Sequence, residues 1–75
     1  MKDLVLYLVK SLADHPEKVS AEESDQNGTL RVQLTIAEED KGKIIGKQGK
    51  VIKAIRALVG VAAAKAGVRT VVEID

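Results

Sequence analysis

The stretch that decides the fold runs from Lys41 to Arg56 and reads KGKIIGKQGKVIKAIR. It joins a glycine pair, Gly46-x-x-Gly49, to six cations: Lys41, Lys43, Lys47, Lys50, Lys53 and Arg56. No acid interrupts them. Glycines at this spacing let a backbone come close to another polymer, because no Cβ stands in the way. Apolar residues recur at helical spacing after Gly49, so a helix is predicted to start there. Its unbonded N–H groups and positive dipole end would then point at the spot the lysines surround. The ligand that suits such a place is a phosphate-bearing backbone.

On the N-terminal side of this stretch, Glu38 to Ile45 reads as a short helix, with three acids at its start where the dipole favours them. Before it, Thr29 to Ala37 is the clearest strand. Leu30, Val32, Leu34 and Ile36 alternate with Thr29, Arg31, Gln33 and Thr35, which describes a sheet with one buried and one wet face. Ser24 to Gly28 is a turn cluster, and its Asn27-Gly28 pair signals a hairpin. The partner strand is predicted over Glu17 to Glu23, where Val19 and Ala21 alternate with polar neighbours. Met1 to Asp14 reads as a helix with Leu4, Val5, Leu8, Val9 and Leu12 on one face. Asp3 suits its N-cap or first turn, and His15-Pro16 ends it.

On the C-terminal side, Lys50 to Ala66 is a long helix whose core face is expected to hold Val51, Ile52, Ile55, Leu58, Val59 and Ala62. Gly67 suits its C-cap. Val68 to Asp75 is a final strand rich in β-branched residues. The order is α-β-β-α-α-β. The fold class is α+β: a hairpin extended to a three-stranded sheet, with the helices on one face.

With 75 residues, the chain is one small domain, 1–75. Such a chain buries only about 60% of its unfolded surface. Its apolar residues are almost all aliphatic; Tyr7 is the only aromatic, cysteine is absent and His15 stands alone. That excludes a disulfide framework and argues against a zinc site. The apolar run 4–9 is far shorter than the ~20 residues that cross a bilayer, and no secretory signal is visible, so a cytoplasmic protein is expected. Net charge is +1, but it is divided unevenly. Residues 1–40 carry four cations and nine acids, a balance of −5, while residues 41–75 carry eight cations and two acids, a balance of +6. An electropositive face made by the second half follows.

The segment Ile44-Ile45-Gly46-Lys47-Gln48-Gly49-Lys50-Val51-Ile52-Lys53-Ala54-Ile55 resembles the signature of a KH domain. The element order resembles the type II, prokaryotic KH arrangement. In size and along its whole length the chain resembles the small bacterial single-KH proteins of the KhpA (YlqC) family. The resemblance implies a groove between the motif helices and the sheet edge that holds about four single-stranded nucleotides of RNA. Gly46 and Gly49 would permit close approach, and the backbone N–H groups of Lys47, Gln48 and Gly49 would face phosphate oxygens. Lys47 and Lys50 would add charge, flanked by Lys43 and Lys53. Ile44, Ile45 and Ile52 would either line the groove floor or fill the core. The lack of aromatics disfavours modules that stack bases on Phe or Tyr. Lys41 and Arg56 are expected to be solvated background, and Arg31 structural or idle.

Beside its core stripe the long helix carries Ala54, Ala57, Val61 and Ala64, with Gly60 adjacent. A helix apolar on more than one side is buried on more than one side, so a two-fold dimer is predicted through these residues. The resemblance agrees. It implies a homodimer, and also association with a larger KH-containing partner of the KhpB type. Such a protein would act as an RNA chaperone or post-transcriptional regulator. Two other functions stay open: an interaction scaffold with vestigial nucleic-acid binding, and single-stranded DNA binding.

Other phosphate-binding readings fail. A P-loop built on Gly49-Lys50 needs Gly at position 44 and Ser or Thr at 51, where the chain has Ile44 and Val51. A helix-turn-helix reader needs polar base-reading side chains along its second helix, which here turns to alanine and valine after Arg56. One histidine and scattered carboxylates assemble no nucleophile, base and orienting group, so no enzyme, cofactor or metal is expected.

Overall fold

In the computed structural model the described residues are 1–74, without the side chain of Lys47. Helix α1 (Lys2–Leu12) leads through a 3-10 turn (Pro16–Lys18) into β1 (Ser20–Gln26) and β2 (Thr29–Thr35). A long helical element, α2 (Glu38–Ala66), crosses to β3 (Arg69–Ile74). The sheet order is β1-β2-β3, with β1 antiparallel and β3 parallel to β2. The α+β class and the three-stranded sheet are as expected. The predicted final strand ends on Asp75, which lies outside the described residues.

Helix α1 is shorter than predicted. Ala13 is already extended (φ −79°, ψ 144°). The next two backbone amides, Asp14 and His15, donate to the carboxylate of Asp40 at 3.0 and 2.9 Å. A side chain from α2 thus takes over the amides that a further helical turn would have used.

The first strand lies three residues later than the sequence suggests. Asn27 and Gly28 both have positive φ (56° and 86°), the backbone of a two-residue hairpin loop. Asp25 braces the loop by accepting from the Gly28 amide at 3.0 Å. With the loop confined to two residues, Gln26 pairs with Thr29 and Ser20 with Thr35. Ser24, Asp25 and Gln26 therefore belong to the strand, and Pro16 to Lys18 form the turn before it.

The core is aliphatic throughout. Val5 and Val9 of α1, Val32 and Leu34 of β2, Val72 of β3, and Ile44, Ile52, Ile55 and Val59 of α2 meet with Val19 and Ile36. Burying each such side chain stabilises the fold by about 1.5–3 kcal/mol. The core stripe of the second half of α2 is Ile52, Ile55, Val59 and Ala63. Leu58 is not in it, being 55% exposed. It sits on the flank facing α1, where Leu8 and Leu12 line the same apolar cleft.

The two motif helices are one helical element with a break inside it. At Gln48 and Gly49 the backbone turns left-handed, with φ of 64° and 68° against about −63° in a regular α-helix. The loop expected between two helices is thus a two-residue kink. At its far end α2 stops on Gly67 (φ 74°), whose amide bonds the Ala64 carbonyl while that of Val68 bonds Ala63. This paired closure satisfies the last free carbonyls.

Candidate nucleic-acid interface

The first limb of α2, residues 38–47, is anchored on two inward side chains one turn apart. Asp40, fully buried, holds the end of α1. Burial pushes its carboxyl up. The amides of Asp14 and His15, with the charges of His15 and Lys43, outweigh this and hold it below its ordinary value. Ile44, also fully buried, fixes the limb in the core. The start of the motif is therefore held from behind, and its outer face is left free.

The three isoleucines of the motif divide. Ile44 and Ile52 fill the core, one of the two roles left open for them: both belong to the buried cluster. Ile45 is 40% exposed and is the member of the trio that reaches the surface.

The two glycines also differ. Gly49 is required by the backbone, because its φ of 68° is one that L side chains rarely adopt. A Cβ there would lie 3.5 Å from the Ile52 Cγ2, an ordinary contact. Gly46 has no such demand, and a Cβ built on it meets nothing within 4 Å. Gln48 is left-handed without being glycine, a conformation that stores strain and concentrates at functional sites.

The cations are distributed over two sides of the motif. Lys43 and Lys50 line a cleft of about 450 Å³ with Gly42, Gly46 and Val51. Lys43 is already engaged, its Nζ lying 3.1 Å from Asp14 Oδ1. Lys53 is exposed, one turn from Arg56 on the same helix face. The charge expected of the Lys47 side chain lies outside the described residues. Lys41 pairs with Glu38 at 2.9 Å.

Arg56 departs from its expected role as background. Its Nε donates to the Val72 carbonyl at 3.2 Å, so it bridges α2 to the free edge of β3. The helical spacing from Lys53 was visible in the sequence, but which face of α2 meets the strand edge was not. Arg31 is structural, paired with Glu73 across β2 and β3. That bond leads the causes holding the Glu73 carboxyl below its ordinary range.

The expected dimer residues Ala54, Ala57, Val61 and Ala64 all lie exposed along the second limb. Val61 is 58% exposed. The cleft of Leu8, Leu12, Val51, Ala54, Ile55 and Leu58 continues this apolar surface toward α1. Among the described residues no group of three or more His, Asp or Glu side chains is placed to hold a metal ion. No described helix is long and apolar enough to cross a membrane.

A three-stranded mixed sheet backed by helices, with a glycine-bracketed kink set into the helical crossover, defines a KH domain. The family model for the KhpA/KhpB KH domain matches residues 2–74, and the chain belongs to that family. It is 45% identical over 74 residues to the RNA-binding protein KhpA of Chlamydia caviae, covering 99% of this chain and 95% of the relative. The RNA-binding protein KhpA of Clostridium acetobutylicum is also 45% identical, over 99% of both chains. That of Clostridium perfringens is 46% identical over the same shares.

Proposed function

We propose that this chain is a non-enzymatic RNA-binding protein of type II KH architecture. It holds about four nucleotides of single-stranded RNA per groove, with the motif on the phosphates. The observation that carries the reading is the kink itself. A strained left-handed Gln48 and an obligatory Gly49 stand beside a Gly46 that the fold does not need. An open Cβ position among lysines suits a ligand that must come close and carries negative charge. Relatives that share about 45% of their residues with this chain bear the name RNA-binding protein.

The test is the double variant Lys47→Asp with Gln48→Asp, which places acid on the kink and leaves the core untouched. RNA binding, read by fluorescence anisotropy, is expected to disappear while the thermal melt holds. Surviving binding would show that the motif is not the contact. If three or four phosphates are engaged, the log–log salt dependence of wild-type binding has a slope of roughly −2 to −3. Competition between RNA and DNA oligomers of one sequence separates the single-stranded DNA alternative.

The exposed apolar face of α2 favours a second element of the reading. Ala54, Ala57, Val61 and Ala64 pack against a second copy of the chain, and two grooves on one dimer gain avidity on longer RNA. In the alternative, a larger KhpB-like partner takes this face and the chain serves mainly as a subunit. A wild type that binds no RNA yet pairs through this face would favour that alternative. An RNA chaperone or post-transcriptional regulator is the role that fits a small dimeric binder with little sequence reach.

A further inference from the structure

Between Lys41 and Val72 the sequence holds no acid, yet the fold brings one to the motif. Asp14, just beyond the end of α1, places its Oδ1 3.1 Å from the Nζ of Lys43. The placement is built from the backbone up. The Asp14 amide donates to Asp40 Oδ1 at 3.0 Å, and Asp40 is fully buried. Asp40 precedes Lys43 by three positions on α2, so the two are neighbours on the helix surface. The anchor that ends α1 therefore also sets the Asp14 side chain beside Lys43.

The pair does little for the fold. Both side chains are well exposed, Asp14 by 70% and Lys43 by 49%. Exposed pairs of this kind contribute little stability. The bond from the Asp14 backbone to Asp40 does not need the Asp14 carboxylate, so an asparagine would hold the end of α1 equally well. What the carboxylate does is occupy a cation at the motif. Lys43 and Lys50 line the cleft of about 450 Å³ beside Gly46. Among the described residues Lys50 has no ion-pair partner, and neither has Lys53. The two lysines of the cleft are thus unlike: one is open to an incoming anion and the other already holds one.

We propose that Asp14 occupies Lys43 in the free protein and is displaced from it by phosphate, so that it limits the affinity of the motif for RNA. This rests on the RNA reading given above. Lys43 exchanges one anion for another: its Nζ leaves the carboxylate and takes a phosphate oxygen at the cleft, and the Asp14 side chain returns to water. Until then the lysine is held at the cleft rather than free in solvent. The net gain from Lys43 is smaller than that from Lys50, which has no carboxylate to give up. Asp14 is a positioning residue: it touches no RNA and acts through Lys43.

The experiment measures binding of labelled oligouridine by fluorescence anisotropy across a salt series, on wild type, Asp14→Asn, Lys43→Gln and the double variant. Asp14→Asn is expected to bind about two- to five-fold more tightly at low salt, the range an exposed ion pair spans. Its log–log salt slope should steepen by up to about one, since one more cation acts on phosphate alone. Its melting temperature should hold. Lys43→Gln binds more weakly, and adding Asp14→Asn to it restores little, because no cation is left to release. An equal gain in both backgrounds would show general repulsion by an acid and overturn the assignment. So would an Asp14→Asn variant that melts lower and binds RNA as wild type does, since the pair would then serve only the fold. Either result leaves RNA binding itself standing. If neither wild type nor Asp14→Asn binds, the RNA reading falls and this assignment with it.

Discussion

Gly46 and Gly49 look alike in sequence and are needed for different reasons. Gly49 serves the backbone and Gly46, in the function proposed above, serves the ligand, which predicts opposite effects of the same substitution. Gly49→Ala forces a Cβ into the left-handed region and is expected to lower stability by about 1–2 kcal/mol. Gly46→Ala sits in helical backbone with open space around its Cβ, and should raise stability by up to ~1 kcal/mol. Yet it should weaken RNA binding, because the added methyl occupies the approach. Chemical denaturation and anisotropy on the two variants check this; equal stability losses would dissolve the distinction. The sequence showed both glycines and their lysines, since those identities are what the motif consists of. It did not separate the roles, because a φ angle and an empty Cβ direction exist only once the chain is folded. Nor did it reveal that Ile44 and Ile52 turn inward while Ile45 stays out. Three isoleucines of one composition differ only in their phase around the helix.

Among the elements, the connection from α1 to β1 rests on one carboxylate from α2. Asp40 has a depressed pKa when folded, so its contribution is present above its unfolded value, about 4. It is lost as pH falls through the folded value. Glu23, Glu39 and Glu73 are depressed as well, so wild type has several acid-sensitive contacts. The comparison with Asp40→Asn isolates this one. The variant should melt lower than wild type at pH 7, and the gap should narrow at pH 3. Parallel melting curves across that range would show that the carboxylate charge is not what holds the end of α1. Strong periodicity made α1, β2, the helical crossover and β3 legible. Where the reading slipped, a contact outside the helical or strand period had intervened. Asp40 cut α1 short, the two-residue turn at Asn27-Gly28 moved β1, and α1 drew Leu58 out of the core stripe.

For the molecule as a whole, the apolar surface on α2 is more than a core of this size can cover. Val61 is exposed, so Val61→Asp leaves packing inside the chain intact and tests the proposed contact between chains. The expected outcome is a monomer of unchanged melting behaviour at low concentration, seen by sedimentation, with weaker binding to long RNA than to short. A dimer of wild-type mass would place the contact elsewhere. The second apolar face could be read from the sequence because alanine and valine recur there at helical spacing beyond what the core stripe uses. The ion pair of Asp14 with Lys43 could not. Its partners become neighbours only when the end of α1 docks on α2.

The parallel pairing of β2 with β3 has a consequence for the birth of the chain. Thr29 meets Arg69 and Leu34 meets Ile74, partners roughly forty residues apart. The hairpin and both helices can form from local contacts as they leave the ribosome, but the third strand is synthesised last among them. Until it arrives, β2 presents an open row of backbone amides and carbonyls to any passing strand. The kinked crossover is synthesised in that interval, so its length sets how long the edge waits for its own partner.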